Sequence, residues 1–229
     1  MTPAVASVVV GALLGTAASA ETPWLISKKP IAKLSSEEAV YLFMGCSIRR
    51  SPGPEKLLAW SRFAAEDPRA GEALRSVITS ECMPVDYSGN IYSLKFKSRS
   101  ARGGLFEALY NSKFHTTAPP KLSDVASPDF ASEFSETPRD QSLESIAIRD
   151  FGDCVAMAQT ALSHRFLETD IGSHEEEAAL TAIAPSLGSC LPTGSQYKFD
   201  RPAFRGLLAE AMYKRAADMV HAAPNVGKP

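Results

Sequence analysis

The four cysteines are the residues of this chain whose type and spacing point most directly to chemistry. Cys46 and Cys82 lie 36 positions apart, and Cys154 and Cys190 repeat that spacing. Cysteines can form disulfides, bind metal ions or carry out redox reactions, but the Cys-x-x-Cys pairs typical of zinc sites and redox enzymes are absent. We therefore predict the disulfides Cys46–Cys82 and Cys154–Cys190 rather than a four-thiolate metal site.

A nine-residue motif that occurs twice carries the polar residues that most suggest a binding site. The ranges 102–110 and 205–213 both follow the pattern Arg-Gly-x-Leu-x-Glu-Ala-[Leu/Met]-Tyr. An arginine followed by glycine near the start of a helix could hold an anion with its guanidinium and the free backbone N–H groups. The candidate anion-binding residues are Arg102 and Arg205, together with Lys95 and Lys198 shortly before them.

The glutamates of the same motif, Glu107 and Glu210, favour a structural role for these polar residues. Residues kept in both copies most simply serve the packing that both copies share, with arginine and glutamate joined in partly buried ion pairs. The two side chains lie five positions apart in the motif, which is poor spacing for a pair within one helix. Their ion-pair partners are therefore expected on other elements.

The two halves of the chain are diverged copies of one unit. Besides the motif, each second cysteine opens a Cys-x-Pro tripeptide, at 82–84 and 190–192. The offset between the copies is 108 at the cysteines and 103 at the motif, because the loop after Cys82 is five residues longer. Of the three ways to pair four cysteines, only the pairing predicted above keeps each bridge within its own copy.

This tandem pattern resembles a group of small exported bacterial proteins that carry the same Cys, Cys-Leu-Pro and Arg-Gly-x-Leu-x-Glu-Ala elements twice. The resemblance covers most of the chain that follows residue 20. It implies an exported protein, but it implies no activity and supplies no catalytic residues.

Residues 1–20 have the features of a cleaved signal peptide. They contain no Asp, Glu, Lys or Arg, run apolar from Val5 through Leu14 and end at Ala20 in the small-x-small pattern Ala-Ser-Ala. We predict a mature N-terminus at Glu21 and a periplasmic or secreted location, which also suits disulfides. An uncleaved membrane anchor is the alternative, but the apolar stretch is shorter than the roughly 20 residues that a spanning helix needs. No transmembrane segment is expected after cleavage.

The composition is that of a globular chain rather than a disordered one. Of the 229 residues, 45% are hydrophobic and 22% are charged, and the net charge is −2. This balance predicts no nucleic-acid partner. Residues 1–120 carry a charge of +4 and residues 121–229 a charge of −6, which favours attraction between the halves.

Helical periodicity dominates the elements that must position these residues. Ser35-Ser36 and Ser173 are N-cap signals, each with glutamates in the turn that follows. In the second copy, one helix from about Ser142 is expected to run without a break to Leu167. The other predicted helices cover about 36–50, 57–65, 70–79, 101–112 and 202–220, and one follows Ser173.

Two short segments, 92–96 and 197–199, alternate apolar and polar side chains as strands do. Because an isolated strand is unstable, we expect them to pair as a ribbon. The predicted fold is mainly α with a minor β ribbon, a two-repeat helical bundle with pseudo-twofold symmetry. Phe130 and Phe134 are expected to dock the linker onto the body. The predicted organisation is a signal peptide over 1–20, repeat 1 over 21–114, a linker over 115–141, repeat 2 over 142–222 and a flexible tail over 223–229.

Histidines and a basic run are weaker candidates for a site. His174 stands beside three glutamates, which could form a surface metal site, but this pattern is more typical of a solvated helix start. The other histidines, His115, His164 and His221, have no metal-ligand spacing, so no metal site and no cofactor are predicted. The basic run of Lys95, Lys97, Arg99 and Arg102 could meet an anionic partner or form the solvent face of an edge strand.

Export, disulfides, internal duplication and missing catalytic motifs favour a binding or interaction module of the cell envelope without catalytic activity. Its partner would be an envelope protein or an anionic ligand. The alternative is a small periplasmic enzyme, hydrolase-like, whose site in the cleft between the repeats uses His164 or Asp153. A deep pocket with titratable groups from one repeat would favour the enzyme, and a shallow apolar surface would favour the binding module. A purely structural envelope protein would show neither.

Overall fold

A computed structural model describes residues 34–50, 63, 67–77, 80–83, 96, 98–115, 118–134, 138–192, 194 and 197–222 of the chain. About three quarters of these residues lie in helices, and none of them lies in a strand. The prediction of a mainly α fold is therefore confirmed. None of the described helices is both long enough and apolar enough to cross a lipid bilayer.

Several predictions fall outside the described residues. They are the signal peptide, the helix over 57–65, most of the first ribbon segment, and the C-terminal tail. Lys95 and Lys97 lie outside as well. The second ribbon segment, 197–199, is described and has no regular secondary structure, so no ribbon is seen in the described part of the chain.

Within the described residues, the helices are named in chain order. They are α1 Ser36–Arg50, α2 Pro68–Val77, α3 Ser98–Phe114, α4 Phe130–Glu133, α5 Arg139–Ala158, α6 Thr160–Leu167, α7 His174–Ile183, α8 Leu187–Cys190 and α9 Arg201–Ala222. Short 3-10 turns occupy Ser80–Cys82 and Ala184–Ser186.

The predicted N-cap signals are confirmed in their local geometry. At the start of α1, the Ser35 N–H donates to Glu38 Oε2 at 2.7 Å, and the Glu38 N–H donates to Ser35 Oγ at 3.1 Å. This reciprocal pair is a capping box. At the start of α7, Ser173 Oγ accepts from the Glu176 N–H at 3.1 Å.

The long helix expected in the second copy is wrong in two respects. α5 begins at Arg139, three residues before Ser142, and it ends at Ala158. Gln159 separates α5 from α6 because its backbone, at φ −139° and ψ 50°, leaves the helical region. The Gln159 side chain donates to Ser186 Oγ at 2.8 Å, which ties this break to the turn after α7.

The centre of the fold is a crossing of α3 and α9 at two glycines. A Cβ atom added to Gly103 would lie 2.8 Å from the Cα of Gly206 and 2.9 Å from the hydroxyl of Tyr41. Such distances leave no room for a side chain, so the backbones of the two helices are in direct contact. The glycine of the repeated motif is therefore required by packing.

α1 packs closely on α3, and α5 packs closely on α9. The two contacts differ in which helix carries the large side chain. Gly104 of α3 faces Met44 of α1, where an added Cβ would lie 3.3 Å from the Met44 side chain. Gly152 of α5 faces Leu207 of α9, where an added Cβ would lie 3.0 Å from Leu207 Cβ. In each contact one glycine faces one large apolar side chain. The glycine belongs to the central helix α3 in the first contact and to the outer helix α5 in the second.

Both predicted disulfides are confirmed. Cys46 of α1 is bonded to Cys82 in the 3-10 turn, with Cα atoms 5.7 Å apart. Cys154 of α5 is bonded to Cys190 at the end of α8, with Cα atoms 5.6 Å apart. Each bridge fastens a short element to the helix that packs on α3 or α9.

The described part of the linker is ordered against the body. Phe130 and Phe134 at the two ends of α4 are buried, as predicted. Upstream of α4, Arg215 holds the linker by donating to Ser127 Oγ at 3.2 Å and to the backbone carbonyl of Val125. The same guanidinium is fixed by two hydrogen bonds to Asp153, of 2.5 and 2.6 Å.

The helix crossing predicts a large difference between two glycine substitutions. Gly103→Ala is expected to destabilise the protein by about 1–3 kcal/mol, because the new methyl group forces the α3 and α9 backbones apart. Gly45→Ala is the matched control, since its Cβ would only touch the Arg49 side chain at 3.5 Å, and it should gain up to about 1 kcal/mol of helix propensity. Urea unfolding checks both values, and equal effects would contradict a tight crossing.

The disulfide geometry predicts that each bridge stabilises its own half. Replacing Cys154 and Cys190 by serine is expected to lower the free energy of unfolding by roughly 4 kcal/mol in the chain-entropy model. Peptide mapping without reductant should recover the two linked peptide pairs separately in the wild type. A peptide that joins the two halves, or free thiols, would contradict the assignment.

Candidate functional site

Two buried ion-pair clusters flank the glycine crossing, and each joins α3 to α9. In the first, which we call the Arg205 centre, the Arg205 Nε donates to Glu107 Oε2 at 2.6 Å and its Nη2 donates to Glu107 Oε1 at 2.9 Å. The Arg205 Nη1 also donates to Glu176 Oε1 at 3.1 Å. The backbone carbonyls of Leu167 and Thr169 accept further bonds from Nη2.

The second cluster, the Arg102 centre, has the same central pair with different neighbours. The Arg102 Nε and Nη2 donate to the two carboxylate oxygens of Glu210 at 2.9 and 2.5 Å. Arg149 donates to Glu210 Oε1 at 3.3 Å, and the Lys214 ammonium lies 2.8 Å from the same oxygen. Glu133 of α4 contacts both Arg102 and Lys214.

The four motif residues are thus joined across the two helices, with each arginine paired to the glutamate on the other helix. All of Arg205's donor nitrogens contact protein acceptors, and its side chain is 1% exposed. This arrangement favours the ion-pair interpretation of Arg205 over anion binding. Arg102 is engaged in the same way, while Lys198 is exposed before α9 and Lys95 lies outside the described residues.

The two centres differ in charge, and the pKa values of Glu107 and Glu210 shift in opposite directions. The Arg205 centre holds two carboxylates and one buried guanidinium, and the more exposed Arg201 lies 3.6 Å from Glu176. Burial raises the pKa of Glu107, the charge of Glu176 adds to this, and Arg205 opposes it. The Arg102 centre holds three cations and two carboxylates. Burial there would raise the pKa of Glu210, but Arg102, Lys214 and Arg149 lower it well below its ordinary value.

The same surroundings shift the pKa values of the neighbouring groups Arg149 and Tyr41. The pKa of Arg149 is lowered to about 10, because burial and the charge of Arg102 outweigh the opposing charges of Glu210 and Glu133. Burial raises the pKa of Tyr41 well above its ordinary value, and the charge of Glu107 adds to this. The Tyr41 hydroxyl donates to the backbone carbonyl of Pro202 at 2.9 Å, so this phenol is neutral and fixed.

A cavity of about 640 Å³ opens above the Arg205 centre. Its walls come from α1, from the middle of α3 and from the turn after α6, so both halves of the chain contribute. Apolar wall residues include Leu42, Ile48 and Ala108, and the floor contains Tyr41 and Arg205. The described charged residues around it are Glu38, Glu107, Glu168, Asp170, Arg49, Arg205 and His115.

The residues considered for catalysis lie in different places. Asp153 lies in the C-terminal half of α5, where it forms an ion pair with Arg215. His164 is 4% exposed, and its Nδ1 lies 2.7 Å from the Tyr110 hydroxyl while its Nε2 lies 3.6 Å from Glu168 Oε1. His115, at the cavity rim, lies 3.1 Å from the same carboxylate oxygen.

The other histidines form no site in the described residues. His174 is exposed at the start of α7, and the position of the His221 side chain lies outside the description. No group of His, Cys, Asp and Glu side chains with the arrangement of a metal site occurs among the described residues.

Sequence reasoning missed the residues that complete the two centres. Glu133 lies in the predicted linker, where no motif marks it. Glu176 was identified only as one of the glutamates at a helix start. Arg149 and Lys214 carry a signal that the repeat offsets could have revealed, because the corresponding residues of the first copy, Tyr41 and Asn111, are uncharged. A charge that occurs in one half alone indicates that the surroundings of the two centres differ.

Comparison with models of protein families, with curated proteins and with solved structures finds no match for this chain.

The opposite pKa shifts predict opposite pH effects on stability. Because the pKa of Glu107 is raised, the folded state holds its proton more tightly, and the free energy of unfolding falls as pH rises above the ordinary value of 4.5. Because the pKa of Glu210 is lowered, the unfolded state binds its proton more tightly, and stability is lost as pH falls below 4.5. Glu107→Gln should therefore remove a decrease of the free energy of unfolding with rising pH. Glu210→Gln should remove an increase of the same free energy with rising pH.

Urea unfolding of the wild type and both variants across the acid range measures these slopes. Glu210→Gln should also cost about 3–5 kcal/mol at neutral pH, because it leaves the buried Arg102 and Arg149 and the partly buried Lys214 with one carboxylate. Identical slopes in the two variants would show that the centres do not differ in charge environment.

Proposed function

We propose that this protein is a binding module of the bacterial cell envelope, without catalytic activity, and that the cavity above the Arg205 centre is its binding site. The observation that carries the proposal is a 640 Å³ cavity whose buried charged floor is already saturated by internal hydrogen bonds. Such a floor gives a fixed shape and polarity to the site. A ligand would be selected by fit to the apolar walls and the charged rim.

The location and the ancestry of the chain belong to the same proposal. Two disulfides are compatible with export to the periplasm or secretion, and the resemblance to small exported bacterial proteins points the same way. We further propose that the two halves are related by a pseudo-twofold axis through the Gly103–Gly206 contact. The reciprocal ion pairs support this. The pairing of 92–96 with 197–199 as a ribbon stays a prediction, because residues 92–95 lie outside the described part of the chain.

The exchanged glycines support the duplication independently. The offset of 108 relates Met44 to Gly152, and the offset of 103 relates Gly104 to Leu207. One copy places the large side chain on the outer helix, and the other copy places it on the inner helix. Compensating changes of this kind are expected when the helix spacing is inherited and side-chain volume is redistributed.

A small hydrolase-like enzyme is the second candidate, and the pair formed by His115 and Glu168 favours it. His115 is exposed at the rim, where a carboxylate 3.1 Å away could make it a general base. A nucleophile aligned with this histidine is not among the described contacts, and His164 is buried against Tyr110. The binding module therefore remains the better-supported proposal.

Filling the cavity tests the proposal. Gly45 lines the cavity, and a Cβ added there meets only the flexible end of the Arg49 side chain, 3.5 Å away, so Gly45→Phe should fold and occupy part of the space. We expect the wild type to recover a specific partner from a bacterial envelope extract and Gly45→Phe to lose it. Gly71→Phe on α2 is the matched control, because Gly71 is a helical glycine away from the cavity.

Mass spectrometry of the recovered material and a hydrolase screen measure the outcome. Equal recovery by Gly45→Phe and Gly71→Phe would remove the cavity from the proposal. Turnover by the wild type that is lost in Gly45→Phe and in His115→Ala would support the enzyme instead.

A further inference from the structure

We propose that the Cys154–Cys190 disulfide is a site of thiol–disulfide exchange, at which an external dithiol reduces the bridge and releases the segment 184–190, while the Cys46–Cys82 disulfide stays intact. This inference concerns a modification site on the surface of the protein. It is independent of the cavity and of the binding function proposed for it.

The two disulfides have similar geometry but differ in their exposure to solvent. Their Cα atoms lie 5.7 and 5.6 Å apart, and each bridge joins cysteines 36 positions apart. Cys46 and Cys82 are both 0% exposed. Cys154, by contrast, is exposed, and Cys190 is half-buried. Because a thiolate must reach a sulfur atom in order to attack it, only the Cys154–Cys190 bridge is open to exchange in the folded protein.

The position of Cys154 on α5 explains its exposure. Asp150, Cys154 and Ala158 follow one another at intervals of four residues and form one exposed stripe of the helix. Phe151 and Val155, next to this stripe, are buried in the core. A cysteine side chain consists only of Cβ and Sγ, and the backbone of a helix lies beneath its side chains. The exposed surface of Cys154 therefore includes its sulfur atom.

The segment 184–190, which consists of the 3-10 turn Ala184–Ser186 and α8, is held weakly to the body apart from the bridge. None of the residues in this segment is buried. Leu187 and Cys190 pack against the core while remaining partly exposed, and the Gln159 side chain donates to Ser186 Oγ at 2.8 Å. Segments that bury few apolar groups open at a low cost in free energy. The covalent bond to α5 is therefore the main constraint that keeps this segment closed.

The elements on both sides of the segment are fixed independently of the bridge. α7 ends at Ile183, which is buried, and Glu176 within α7 accepts a hydrogen bond from Arg205 at 3.1 Å. On the other side, the ring of Phe199 stacks on that of Phe151, with centroids 5.2 Å apart. Reduction is therefore expected to open 184–190 locally without unfolding the helices around it.

The exchange takes place in two steps. A thiolate of the dithiol attacks Cys154 Sγ and forms a bond to it, while the Cys154–Cys190 bond breaks and Cys190 leaves as a thiolate that takes up a proton. The second thiolate of the dithiol then attacks the reagent sulfur of this mixed disulfide and releases Cys154, which is protonated in turn. The dithiol loses two electrons and two protons and becomes a disulfide, and the bridge gains both and becomes two thiols.

Timed reduction of the folded wild type with dithiothreitol tests the proposal. Samples are quenched with N-ethylmaleimide at increasing times, and peptide mapping measures the label on each cysteine. Label should appear on Cys154 and Cys190 roughly tenfold or more faster than on Cys46 and Cys82, because a buried bridge reacts only after the structure around it opens. Equal rates, or faster labelling of Cys46 and Cys82, would overturn the proposal.

The same reaction in concentrated urea is the control. The two bridges should react at equal rates there, because unfolding exposes both of them. A difference that persists in urea would show that exposure in the folded state is not its cause and would also overturn the proposal.

A monothiol identifies the sulfur that is attacked first. After brief treatment with 2-mercaptoethanol and quenching, the mixed disulfide should be found on Cys154, the more exposed of the two cysteines. An adduct found mainly on Cys190 would refute the first step as written.

Hydrogen exchange measures the release of the segment. In the reduced and alkylated protein, the amides of 184–190 should exchange roughly tenfold or more faster than in the oxidised protein, and those of α7 and α9 should be unchanged. Cys154→Ser combined with Cys190→Ser should give the same pattern without reductant or alkyl groups. Unchanged exchange in 184–190, or faster exchange throughout α7 and α9, would contradict the release of this segment alone.

Discussion

The structure depends on the direct backbone contact between α3 and α9 at Gly103 and Gly206. Because no side chain separates the helices there, the arginine beside each glycine reaches the glutamate that lies one helical turn beyond the crossing on the other helix. The spacing of the repeated motif is therefore explained by an interaction between two helices. A buried ion pair gains little net stability over apolar packing, but removing one partner is costly, so the two reciprocal pairs fix which residues of the halves face each other.

The two sides of this crossing differ in charge and in cover. The Arg102 centre also holds Arg149 and Lys214, and α4 of the linker supplies Glu133 together with two aromatic rings. The corresponding positions around Arg205 hold Tyr41 and Asn111, and the second carboxylate comes from Glu176 of α7. The described residues therefore form a sealed centre with excess positive charge on one side. On the other side, Glu107 and Glu176 share the buried Arg205 beneath a cavity, and the more exposed Arg201 lies 3.6 Å from Glu176.

Local features could be predicted from the sequence, and features that depend on several elements could not. The pairing of Cys46 with Cys82 follows from internal repetition, and the start of α1 follows from a capping box that spans four residues. The motif identified the central polar residues but not their partners, because Glu210 lies 108 positions from Arg102. The break at Gln159 was missed because a hydrogen bond to Ser186 stabilises it. The helical periodicity of the residues before Gln159 contains no information about that contact. The cavity has no linear pattern at all, since its walls come from three separate parts of the chain.

The charges explain why α4 stays on the Arg102 centre. Glu133 contacts both Arg102 and Lys214, so its carboxylate offsets part of the positive charge that Arg149 and Lys214 bring to this centre. The rings of Phe134 and Phe130 each lie 4.7 Å from one of these cations, at the Arg149 guanidinium carbon and the Lys214 nitrogen. Because the linker is joined to the body at both ends, α4 has a high effective concentration at this place and stays bound. Among the described residues, no element covers the Arg205 centre in this way, and the cavity lies there instead.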